Sequence, residues 1–258
     1  MVSADPENTD PAPSARKADH YARQTAIGLL LAVLVITAWA CLHVYGVFIH
    51  RWTTAGIAVA PFLIAAQCWL NVGLFIVAHD AMHGSLAPFR PAVNRWVGRI
   101  CLALYAGFSF DRLIGKHFDH HRHAGTPLDP DFDANHPAAF WPWFLHFFRT
   151  YFGWREFAVL SVLLAVYVFV LGASPVNALL LWGAPAILSA LQLFTFGTYL
   201  PHRHEDAPFT DRHNARSNNF PVWLSLLTCF HFGYHHEHHA QPGTPWWKLP
   251  QARVSSRA

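Results

Sequence analysis

"LNVGLFIVAHDAMHGS", residues 70–85, closes an uncharged run with two histidines four positions apart. Upstream of it, no Asp, Glu, Lys or Arg interrupts the 28 residues between Arg51 and Asp80, more than the roughly 20 that span a bilayer as helix. The 27 residues between Arg23 and Arg51 are equally free of charge, and so are the 46 from Phe157 to His202, which Gly172, Ser174 and Pro175 divide with a turn signal. Only 13% of the 258 residues are charged and 53% are hydrophobic, against about 25% charged in an ordinary soluble domain. The pattern predicts an all-α membrane protein with four transmembrane helices.

Four spans put the N-terminus, the segment 80–156 and the C-terminal tail on one side. That side carries every Lys and Arg but Arg51, 17 against 1, so the positive-inside bias makes it the cytoplasm. A bacterial-type inner membrane is the expected location, with both termini and the active site cytoplasmic. Residues 1–22 are expected as a disordered tail, 23–250 as one membrane domain and 251–258 as a short tail; the opening stretch lacks a signal-peptide cleavage pattern. The apolar runs Ile100 to Phe110 and Val222 to Phe230 are about half a span long and are expected as interfacial or half-membrane helices. The aromatic run Phe140 to Trp154 and "PWWKLP" at 245–250 suit headgroup-level anchors. A net charge of +3 on scattered carriers implies no nucleic-acid partner. The four cysteines stand singly in apolar stretches, without a disulfide framework or a cysteine metal site.

Histidine is the informative excess, with 19 residues. At 100° per residue, His79 and His83 share a helical face. "HFDHHRHAG", 117–125, places His117, His120 and His121 at i, i+3 and i+4, with His123 turned away. "YHHEHHAQP", 234–242, repeats the device with His235, His238 and His239, while His236 points off the stripe. His202 closes the last span at the same boundary as His79. Eight or nine convergent imidazoles exceed the needs of one first-row ion, so two metals fit, although imidazole suits zinc, copper, iron and nickel alike. His231, four residues before His235, is a candidate neighbour of the ligands. So are Asp80, Asp119 and Glu237 inside the boxes, and Asn214 and Arg216 in "DRHNARS", 211–217. No carboxylate set of the soluble di-iron kind is present.

HxxxH, HxxHH and a second HxxHH among four spans resemble the integral membrane non-haem di-iron family of desaturases, hydroxylases and ketolases. "HDAMHGS", "PHR" at 201–203, "DRHNARS", "TCFHFGYHHEHH" at 228–239 and "PWWKLP" are similar to the bacterial β-carotene ketolases within it. The resemblance covers about residues 25–250 and implies iron ligands at His79, His83, His117, His120, His121, His202, His235, His238 and His239. It implies two non-haem irons, O2 as co-substrate, a carotenoid drawn from the lipid bilayer and reduced ferredoxin or a similar electron donor. The reaction implied is two successive hydroxylations at C4 of a β-ionone ring, followed by loss of water to a ketone. Arg112, Lys116 and Arg122 are candidates to dock an acidic carrier. Acyl desaturases of the superfamily often carry Asn four residues before the fourth-span histidine; here Thr198 stands there.

A carotenoid 3-hydroxylase or a fatty acyl desaturase shares these boxes. The alternative from another class is a divalent-metal transporter, but transporters coordinate near the bilayer midplane, and the spans carry only His43 and His50, near the outer half of the first. A metalloprotease H-E-x-x-H is absent: His204-Glu205 meets Pro208 and His236-Glu237 meets Ala240.

Overall fold

The computed structural model describes residues 13–205 and 208–256, with side chains from Arg16 onward. All regular structure among them is helical. Helix α1 (Pro13–Val44) widens into a π-type turn at Tyr45–Ile49. Helix α2 (Thr54–His83) starts on the Thr53 hydroxyl, which accepts from Gly56 N at 3.1 Å, and stops at Gly84, whose φ of 71° ends the helix in the left-handed region. Then follow α3 (Pro91–Ala106), α4 (Phe110–His123), α5 (Phe140–Tyr151) and α6 (Trp154–Val170). The chain returns through α7 (Pro175–His202), α8 (Val222–Cys229), α9 (His235–Ala240) and α10 (Leu249–Ser255).

Among the described residues, three helical stretches are long and apolar enough to cross a membrane: Arg16–Ile49, Thr54–His83 and Pro175–His202. The pair α5 and α6, bent by 76°, makes a fourth if taken as one span. Helix α2 is the axis, with α1, α3 and α7 packed around it. From Gln67 to Met82 it is buried almost without break, whereas Leu30, Val33, Phe62, Val162 and Ile187 face outward. That inversion, apolar outside and mixed polarity within, suits lipid as solvent. Close approach is built in at Gly98, where a Cβ would lie 2.2 Å from Phe110 Cε2, so α3 fixes where α4 begins.

Several boundaries differ from the sequence reading. Residues 13–22, expected as part of a disordered tail, are the first turns of α1: alanine, lysine and arginine are good helix formers, and the end is tied down. Tyr21 meets Phe89 edge-on at 5.0 Å, and Gln24 donates to Ser85 O at 2.8 Å. The rest of that expected tail, 1–12, lies outside the described residues. Residues 251–255 continue α10, because Arg253 is drawn inward to Glu237 at 2.7 Å. The run Ile100 to Phe110 is not one half-membrane helix: α3 ends at Gly107 (φ 67°) and α4 opens at Phe110.

Candidate metal centre

Four separate helix ends bring the nine box histidines together. The last turns of α2 present His79 and His83, and α4 presents His117, His120 and His121. His202 ends α7, and α9 presents His235, His238 and His239. They sort into two clusters whose ligand-capable atoms lie within 4.8 Å of one another: His79, His83, His117, His121 and His238 in one, His120, His202, His235 and His239 in the other. The two HxxHH helices are used reciprocally. In α4 the i and i+4 rings go to the first cluster and the i+3 ring to the second, whereas in α9 the i+3 ring goes to the first and the i and i+4 rings to the second. Positions i and i+4 differ by only 40° around a helix, while i+3 lies 100° from i+4. Two helices facing each other across the gap can therefore each feed both clusters.

The nitrogens converge as a metal would require. His117 Nε2 and His83 Nε2 are 2.6 Å apart, His238 Nε2 and His121 Nε2 3.0 Å, and His239 Nε2 and His235 Nε2 3.0 Å. Two imidazoles at right angles on one ion, each about 2.1 Å from it, stand about 3.0 Å apart. His79 Nε2 and His202 Nε2 are buried without a hydrogen-bond partner, and buried polar nitrogens are seldom left so. His202 has its other nitrogen engaged, Nδ1 donating to Asn214 O at 2.7 Å, which leaves the Nε2 lone pair facing the cluster. Burial, reinforced by neighbouring imidazoles, holds His117, His235, His238 and His239 far below the usual histidine pKa and His121 down to about 2. Neutral imidazoles are the form that binds cations. His120 differs: burial works against its charge, but Asp131 and Asp129 outweigh it and raise its pKa to about 9. The donor set is all imidazole, with six rings buried and His83, His117 and His121 half-buried, and it fits two first-row metal ions once His120 gives up its Nε2 proton, keeping the one that Asp129 accepts from Nδ1.

The orienting partners were only partly legible. Asp129, in the loop after α4, accepts from His120 Nδ1 through both oxygens, at 2.9 and 3.0 Å, and also from Gly125 N and Asp131 N. Neither Asp129 nor Asp131 was singled out from the sequence. The signal available was the acid-rich "TPLDPDFD", 126–133, directly after the second box. Of the expected neighbours, Asp80 lies 3.9 Å from His79 Nδ1 and accepts from Trp246 N at 3.1 Å. Asn214 reaches His202 through its backbone carbonyl rather than its side chain, which donates to Ala124 O. Arg216 donates to Arg203 O at 2.7 Å.

Three expectations are corrected. Asp119 points outward and pairs with Arg122 at 2.6 Å, because it sits on the opposite side of α4 from the boxes. Glu237 turns away from the imidazoles to Ser217, Arg253 and Ser256, which hold its pKa low against the effect of burial. His231 is not a helical continuation of the third box: with φ 64° it sits in the turn before α9 and stacks on Tyr234 and Trp246. His236 lies off the stripe, as its spacing requires, and pairs with Asp211 at 2.7 Å. Lys116 is drawn to Thr150 O at 2.5 Å, whereas Arg112 and Arg122 are exposed, Arg122 in a surface pair with Asp119.

A mostly apolar cavity abuts both clusters. His79, His117, His120 and His235 form part of its wall, with Phe75, Met82, Leu113, Leu193 and Phe232. Phe147, Phe148, Tyr151 and Phe152 line it too, so this half of the aromatic run faces inward. Trp141 and Trp154, by contrast, are 62% and 84% exposed.

A helical scaffold of this kind, with membrane-length apolar helices and two histidine clusters beside an apolar cavity, defines a class of membrane proteins suited to hold a metal pair. The fatty acid desaturase profile matches residues 52–160 and 136–258, and the chain belongs to that family. It is 50% identical over 232 residues to a "Beta-carotene ketolase" of Paracoccus sp. (strain N81106), covering 89% of this chain and 93% of that protein. A "Beta-carotene ketolase" of Haematococcus lacustris is 35% identical over 96% of this chain and 85% of its own length. A "Zeaxanthin 4-ketolase" of Chlamydomonas reinhardtii is 37% identical over 89% of this chain and 54% of its own length.

Proposed function

We propose that this chain is a membrane-embedded, O2-dependent carotenoid 4-ketolase. On this reading it converts the C4 methylene of β-ionone rings to a ketone, taking β-carotene to echinenone and canthaxanthin and zeaxanthin toward astaxanthin. The observation that carries the reading is an apolar cavity walled by members of two histidine clusters, in a chain half identical to a β-carotene ketolase over most of both lengths. His79, His83, His117, His121 and His238 would hold one iron, and His120, His202, His235 and His239 the other. Bound there, a redox-active metal pair supplies the oxidising power of O2 at the cavity wall.

The chain's own residues bring the substrate to that wall and shut out water. C4 is allylic, so its C–H bonds are weak, and the choice between C4 and neighbouring C3 is a matter of placement. Phe147, Phe148, Phe152, Met82 and Leu193 offer the ring a dry seat. Asp129 holds His120 in one tautomer and Asn214 O does the same for His202. Each hydroxylation needs two electrons beyond those of the C–H bond. A soluble carrier such as reduced ferredoxin would deliver them to the Lys- and Arg-rich face.

The four-span arrangement belongs to this proposal, with α5 and α6 as the third crossing; Trp154–Val170 alone rises about 25 Å as helix. So does the placement of termini and site on the cytoplasmic side of the inner membrane, supported by the 17-to-1 distribution of Lys and Arg. Expression in β-carotene-producing cells, with mass analysis of the pigments and iron analysis of the purified protein, tests the reading. Keto-carotenoids and about two irons per chain are expected. 3-Hydroxylated pigments or desaturated acyl chains would replace it by the other chemistries these boxes serve, and net metal transport by an iron-free protein would end it.

A further inference from the structure

A ketone at C4 requires the same carbon to be presented twice. In the first round O2 gives one oxygen atom to C4, breaking one C–H bond. The other leaves as water with two protons and two electrons from a one-electron carrier of the ferredoxin class. The second round repeats this on the remaining C4–H bond, and the geminal diol loses water. Between the rounds the apolar cavity holds an alcohol, and a hydroxyl buried without a partner favours escape. The cavity answers this at one corner. Apart from imidazoles, polar groups reach its wall from Tyr105, Thr198, Asp131 and Tyr151, and of these Asp131 and Tyr151 are the two bonded to each other beside His120. Tyr151 Oη donates to Asp131 Oδ1, and Asp131 Oδ2 lies 3.8 Å from His120 Nδ1.

The pair is held from behind. Trp143 Nε1 donates to Asp131 O at 2.6 Å, and the Lys116 ammonium sits 4.9 Å from the centre of the Tyr151 ring. Neither acidic nor phenolic side chain is needed for a hydrocarbon ring, and neither belongs to the two imidazole clusters. With its proton committed to Asp131, the phenol oxygen keeps a lone pair for a hydroxyl donor, as does the second carboxylate oxygen.

We propose that Tyr151 and Asp131 form a hydroxyl-retaining pair that accepts a hydrogen bond from the newly made C4 alcohol, keeps it in the cavity and so commits the enzyme to the ketone. The inference rests on the ketolase reading and concerns only whether one bound molecule undergoes both oxidations.

The test uses the full-length protein in lipid nanodiscs with isotopically labelled β-carotene, reduced ferredoxin and an added pool of unlabelled 4-hydroxy-β-carotene. With the wild type, label is expected to pass to the 4-keto product with little dilution by that pool. In Tyr151→Phe, which removes one oxygen and leaves His120 and Asp129 untouched, the ratio of 4-hydroxy to 4-keto product is expected to rise about five- to tenfold, the effect of losing one ordinary hydrogen bond. Iron per chain should stay at the wild-type level. Full mixing of label in the wild type would overturn the proposal. So would an unchanged product ratio in Tyr151→Phe, whether total turnover is kept or falls through a purely structural role. If Tyr151→Phe does not accumulate as folded protein, the label-dilution result on the wild type decides. A wild type that makes no ketone would instead defeat the ketolase reading itself.

Discussion

Replacing Asp129 separates orientation of a ligand from the fold that carries it. Its carboxylate is 1% exposed and accepts from three donors, His120 Nδ1, Gly125 N and Asp131 N. Asp129→Ala would bury three donors without partners, at about 1 to 3 kcal/mol each. A total of about 3 to 9 kcal/mol is comparable with the whole stability of a domain, about 5 to 15 kcal/mol, so that variant should fail to accumulate. Asp129→Asn keeps one oxygen of the same shape and loses the charge, so a bond to His120 worth about 1.5 to 3 kcal/mol falls to the roughly 0.5 to 1.5 kcal/mol of a neutral one. Removing such an orienting partner costs about 10- to 100-fold in metal affinity. Because His120 belongs to the four-histidine cluster, only that cluster should weaken. Anaerobic titration of the metal-free Asn variant with cobalt(II), followed by its visible absorption, should show one wild-type site and one weakened by that factor. Two sites filling as in the wild type would refute the orienting role. Equal weakening of both would show that Asp129 acts on the scaffold instead.

Histidine position within a box should matter more than histidine identity. His238→Ala should abolish oxygenation and lower metal content, whereas His236→Ala, which breaks only the bond to Asp211, should leave iron near wild type by elemental analysis. Glu237→Ala should leave the half-buried Arg253 without its carboxylate and cost about 1 to 3 kcal/mol, read as a lower thermal midpoint in detergent with little change in metal stoichiometry. Gly98→Ala places a methyl group 2.2 Å from the Phe110 ring. Overpacking of about 1 to 3 kcal/mol should shift α4 and weaken metal binding by both clusters, since His117 and His121 serve one and His120 the other; cobalt titration would show it.

The amino-acid sequence by itself determined the helical membrane scaffold and the nine histidines. Charge-free runs of span length admit only helix in lipid, and spacings of three and four put the rings of each box on one face. It also determined that His236 would stand apart. What only the tertiary structure decided is how the rings are shared, with His117 and His121 opposite His238 and His120 among His202, His235 and His239. Helical periodicity states which side chains point together, but not what lies across the gap, and that depends on how α4 and α9 meet. The same limit explains Asp129 and Asp131, in a loop with no period to read. It explains Glu237 as well, whose neighbours in sequence are the imidazoles and whose neighbours in space are Ser217, Arg253 and Ser256. Backbone periodicity is local and survives in the linear chain, while pairing between side chains from distant segments exists only once the helices are packed.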